Sequence, residues 1–85
     1  MELGVLFDET VQMIWDKFHV IPDDKTLHLR YGFNIQWKYG ILYVTKYSVS
    51  FKDQYNVVHY DVDNTDEALY YITLIINRIR PYRVY

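Results

Sequence analysis

Between Leu27 and Trp37 the chain alternates apolar and polar residues without a fault. Leu27, Leu29, Tyr31, Phe33, Ile35 and Trp37 fall on one side, and His28, Arg30, Gly32, Asn34 and Gln36 on the other. Six consecutive matches to a period of two predict a long strand with one buried face. Gly32, on the open side, marks a bend or bulge. Such a strand needs neighbours and a covering layer, and 85 residues must supply both. A chain of that size buries only about 60–65% of the surface its unfolded form exposes. The expectation is therefore a single compact domain over residues 1–85, with a short C-terminal tail at 81–85.

Residues 41–51 read as a second strand, with Ile41, Tyr43, Thr45, Tyr47, Val49 and Phe51 on its apolar face. A three-residue loop, Lys38-Tyr39-Gly40, places glycine where a left-handed conformation is needed. It also sets Trp37 opposite Ile41, Ile35 opposite Tyr43 and Tyr31 opposite Tyr47. Residues 56–62 read as a third strand beyond the polar turn Lys52-Asp53-Gln54-Tyr55. Matching apolar faces pairs Val49 with Val58 and Tyr47 with Tyr60, so Tyr31, Tyr47 and Tyr60 form an aromatic row.

Helices are predicted at both ends. Leu3, Phe7, Val11, Ile14 and Phe18 recur at helical spacing over residues 3–18. Trp15, on the edge of that stripe, is either a core-margin residue or an exposed anchor. Residues 65–80 carry Ala68, Leu69, Ile72, Ile75, Ile76 and Ile79 on one stripe. Asn64 and Glu67 are spaced as a capping box, and Pro81 ends the helix. The predicted fold class is α+β: helix, three-stranded antiparallel β-meander, helix (αβββα), with both helices on one face of the sheet.

Composition narrows the chemistry. No cysteine is present, so thiolate metal sites and thiol catalysis are excluded. The run Ile72–Ile76 is too short to span a bilayer, and no basic segment leads an apolar stretch near Met1. The expectation is a cytoplasmic protein with no membrane partner. The net charge of −2 does not suit a polycation built for nucleic acid. The order of elements matches that of double-stranded-RNA-binding domains, which use basic residues at the start of the last helix. Here that stretch is Asp63-Asn64-Thr65-Asp66-Glu67, which repels phosphate, so membership is rejected.

The open face of the sheet collects His28, Arg30, Ser48, Ser50, His59, Lys46 and Asp61. A Ser48–His59–Asp61 relay is unpromising on this reading. Residues 59 and 61 are two apart on one strand, which makes a direct hydrogen bond awkward, and a flat face offers no oxyanion hole. No metal site, cofactor or catalytic residue is expected. His19 is explained by its place at a helix end.

Ten tyrosines remain to be explained. They either fill the core of a small domain or serve an interface. The expectation is a small non-enzymatic interaction module that docks on a partner protein or on a second copy of itself. Isoleucine, asparagine and tyrosine usage fits an AT-rich genome, and such a module suits a phage or mobile-element accessory protein or inhibitor. The candidate surface is Arg30, Val44, Lys46, Val57 and His59 on the open face, with Arg78, Arg80, Tyr82, Arg83 and Tyr85 at the C-terminal end. Val44, Leu42 and Val57 would give that face an apolar seam. The less favoured reading is a nucleic-acid-binding domain using the C-terminal Arg/Tyr cluster and the open face.

Overall fold

The structure, a computed structural model, describes residues 2–22, 24–28 and 31–80, with 24–28 described through their backbone. The elements are α1 (Leu3–Phe18), β1 (Asp24–His28), β2 (Gly32–Trp37), β3 (Gly40–Thr45), β4 (Ser48–Lys52), β5 (Val57–Asp61) and α2 (Thr65–Arg78). The α+β class holds. The sheet, however, is a five-stranded antiparallel meander in the order β1-β2-β3-β4-β5, not a three-stranded one.

Both long predicted strands are hairpins. Leu27 pairs with Phe33 and His28 with Gly32, so the chain reverses across three residues. An odd-numbered connection returns the chain with the same parity of side-chain alternation, which is why the period of two runs on unbroken through the reversal. Gly32 is required at the exit. Its φ is +146°, and a Cβ there would lie 1.9 Å from the Val44 carbonyl oxygen.

The second predicted strand reverses at Lys46-Tyr47, between Thr45 and Ser48. The Thr45 hydroxyl holds this turn, 2.9 Å from Ser48 Oγ and accepting from the Tyr47 amide at 3.1 Å. An even-numbered connection inverts the parity. Leu42 and Val44 therefore point into the core, at 0% and 1% exposure, while Tyr43 is 44% exposed. This corrects the expectation for Val44 and Leu42. The β2–β3 loop is Lys38-Tyr39, one residue shorter than expected, with Trp37 opposite Gly40, Ile35 opposite Leu42 and Phe33 opposite Val44.

The β4–β5 pair keeps its predicted faces but is shifted by two residues: Val49 meets Tyr60 and Phe51 meets Val58. Asp53 sets this turn by accepting from the Tyr55 and Asn56 amides at 2.8 and 2.7 Å. The predicted aromatic row does not form. Tyr31 and Tyr47 are exposed beside the turns, and Tyr60 stacks on Tyr71 of α2 at 4.5 Å.

Both helices cover the same face of the sheet. Phe7 meets Phe33 edge to face at 5.3 Å, and Phe18 packs by Trp37 and Tyr39 at 6.1 and 4.8 Å. The buried stripe of α1 centres on Leu6, Thr10 and Ile14, with Phe7, Val11 and Phe18 flanking it, a rotation from the predicted stripe. Thr10 is tolerated there because its hydroxyl donates to the Leu6 carbonyl at 2.7 Å. Asn64 caps α2 by accepting from the Glu67 amide at 2.9 Å. Burial of Ala68, Ile72, Ile75 and Ile76 then overrides the strand preference of the isoleucines.

Lys17 Nζ donates to the Ile76 and Asn77 carbonyls at 2.6 and 3.1 Å, closing the end of α2. Desolvation lowers its pKa from the ordinary lysine value. Thr73 also reaches Met13 Sδ at 3.6 Å, so the helices lie side by side and run the same way.

Candidate functional site

With the helices on one side, the other side of the sheet carries three cross-strand rows. The register aligns Thr26, Asn34, Tyr43, Ser50 and His59 in the middle row. Gln36, Ile41, Lys52 and Val57 line up toward the β2–β3 loop. Gly32, Thr45, Ser48 and Asp61 line up toward the Lys46-Tyr47 turn. Val57 is 66% exposed on the edge strand. Exposed tyrosines surround the rows: Tyr43 within them, and Tyr31, Tyr47 and Tyr55 at the sheet ends. Tyr31 and Tyr43 border a shallow hollow of about 270 Å³ above Gly32, which has no side chain to fill it.

A hydrogen-bonded chain runs from the middle row to Asp61 in the next. Ser50 Oγ lies 2.6 Å from His59 Nδ1, and His59 Nε2 lies 3.0 Å from Asp61 Oδ1. This corrects two expectations. Residues two apart on a strand face are separated by about 6.6 Å of backbone, which an imidazole and a carboxylate reaching toward each other can bridge. The two-residue shift in register replaces Ser48 with Ser50. An ionised Asp61 only accepts, so in the neutral ring Nε2 carries the proton and Nδ1 is left to accept from the Ser50 hydroxyl. Among the described residues no three His, Asp or Glu side chains converge as a metal site.

The predicted surface residues divide. Val57 and His59 lie on the open face, and Lys46 is exposed in the β3–β4 turn. Val44 is in the core. Arg78 and Arg80 are exposed, but they border a hollow of about 250 Å³ with Phe51, Val58 and Ile75, on the helix side of the sheet. The structure thus does not unite them with the open face. Arg30, Tyr82, Arg83 and Tyr85 lie outside the described residues, as does the predicted tail at 81–85.

Sequence reasoning missed Tyr43 as a surface residue. One signal was available: Leu42 and Val44 are more apolar than Tyr43 and Thr45, so the even positions of β3 are the better core face. Trp15 is 47% exposed, with the His19 ring against it at 5.9 Å. His19 itself adopts the left-handed conformation that ends α1, and its amide bonds the Trp15 carbonyl at 2.8 Å.

Charge is also unevenly divided along the chain. Residues 24–61 carry five basic and three acidic side chains, whereas the rest of the chain carries four and eight. No helix among the described residues is long and apolar enough to cross a membrane. The chain matches no known family model, no curated protein and no solved structure.

Proposed function

We propose that the chain is a binding module without turnover chemistry, meeting a partner protein through the uncovered face of its sheet. The observation that carries this reading is where the exposed aromatic and apolar side chains fall. Among the described residues Tyr31, Tyr43, Tyr47, Tyr55 and Val57 belong to the sheet and its turns, around a face that no helix covers, while Val5, Trp15, Ile21 and Tyr70 are exposed on the helices and the segment after α1. Tyrosine supplies large rigid area and a polar tip, the make-up of an adaptable contact surface. Lys46 and Lys52 favour a partner with acidic groups, and the acidic helix side discourages docking in the wrong orientation. The same chemistry suits an accessory protein or inhibitor that acts by occupying a surface.

The test is retention of a partner from extract of the source cell by the tagged chain, compared with a Tyr43→Ala/Val57→Lys double variant. The expected result is a discrete protein that survives nuclease treatment and is lost with the double variant, while the circular dichroism of the variant is unchanged. Equal retention by the variant overturns the face assignment. Loss on nuclease treatment overturns the protein partner in favour of nucleic acid. Sedimentation of the purified chain separates a second copy from a foreign partner.

A further inference from the structure

We propose that Ser50 is a base-activated nucleophile that takes an acyl group from an activated, uncharged ester in a single turnover. The inference rests on the Ser50–His59–Asp61 chain and does not need a protein partner. Asp61 holds the proton on His59 Nε2, so the lone pair of Nδ1 faces the Ser50 hydroxyl at 2.6 Å. That is the arrangement in which an imidazole takes the proton from a serine as the oxygen attacks.

Ser50 Oγ attacks the ester carbonyl carbon, and its proton passes to His59 Nδ1. The carbonyl re-forms as the bond to the leaving oxygen breaks, and the leaving group departs as an anion with that electron pair. Ser50 keeps the acyl group as an ester. The imidazolium then gives its extra proton to solvent.

The surroundings set the limits of the reaction. The backbone donors of β3 and β4 beside Ser50 are committed to the strand ladders, and the N–H groups of His59 and Asp61 on the edge strand β5 point away from β4, so no paired N–H groups await a tetrahedral oxyanion. Only an ester with a good leaving group reacts, and the acyl-serine is hydrolysed slowly. Tyr43 opposite Ser50, with Ile41 and Val57 in the adjoining row, gives the acyl group an apolar side, which favours aryl or short aliphatic esters over charged ones.

The test incubates the full chain with p-nitrophenyl acetate, following nitrophenolate release and locating the acetyl group by peptide mass spectrometry. The expected result is a burst approaching one equivalent, with the acetyl group on Ser50. Ser50→Ala removes the burst, and His59→Ala slows it by on the order of 10²-fold, the low end for a general base. His59→Gln, which keeps a polar group without the base, behaves like His59→Ala. Nitrogen NMR of the wild-type ring shows the proton on Nε2, and Asp61→Ala mixes the tautomers and slows the burst. A burst that persists in Ser50→Ala, acetyl found only on lysines or the N-terminus, or equal rates in both His59 variants and wild type overturns the proposal.

Discussion

Ile35, Leu42 and Val49 sit on adjacent strands facing the helices, and solvent reaches none of them. Turned through one residue, the same strands present Asn34, Tyr43 and Ser50 to the outside, with His59 of β5 beside them. The inner side is apolar, interlocked and fixed in volume. The outer side consists of tyrosines, small hydroxyls and a few charges whose contacts are local. The difference teaches that the fold is specified almost wholly by one side of the sheet. On the other side, Gly32 apart, replacing a side chain is expected to leave the packing intact.

The largest effect that can break this contrast belongs to Leu42. Leu42→Ala should cost about 2–5 kcal/mol, since it empties a fully enclosed site. Chemical denaturation reads this directly, and a loss under about 1 kcal/mol would mean that Leu42 does not sit where the parity places it. Gly32→Ala comes next. Strain at its φ alone costs about 1–3 kcal/mol, and the Val44 carbonyl must also move. A mutant as stable as wild type would remove the reversal after His28.

Asn64→Ala should cost about 1 kcal/mol by leaving the Glu67 amide without its acceptor. The thermal midpoint is the readout, and no change would mean that another group caps α2. The smallest effects are expected on the outer side, where His59→Ala or Ser50→Ala should stay within about 0.5 kcal/mol of wild type. A loss of several kcal/mol in either would show that the hydrogen-bonded chain is structural and would dissolve the contrast between the two sides.

The helices were legible in the sequence because their signals are local. Asn64 caps where the spacing to Glu67 predicts, and Ala68, Ile72, Ile75 and Ile76 bury as one stripe. The strands were legible as apolar faces but not as strands. Three residues between His28 and Gly32 preserve the alternation, so the reversal leaves no mark in the period. Lys46-Tyr47 inverts it with no glycine, proline or asparagine to announce a turn. That inversion sent Val44 to the wrong side and hid Tyr43. The open face was read correctly for His59, Asp61 and Val57, because β5 has one clear apolar side. Its pairing partner was missed, because a slip of two residues preserves every face and only exchanges Ser48 for Ser50.

The inner–outer assignment of β3 decides both the core and the proposed site, and the absence of cysteine allows it to be tested with single thiols. Leu42→Cys and Tyr43→Cys are made separately, and each folded protein is exposed to a thiol reagent under native conditions. The parity described here predicts that the thiol at position 43 reacts at the rate of an exposed cysteine, while the one at 42 waits for unfolding. Rapid reaction at 42 with protection at 43 would contradict it, returning residues 41–51 to a single strand and removing the open face as drawn.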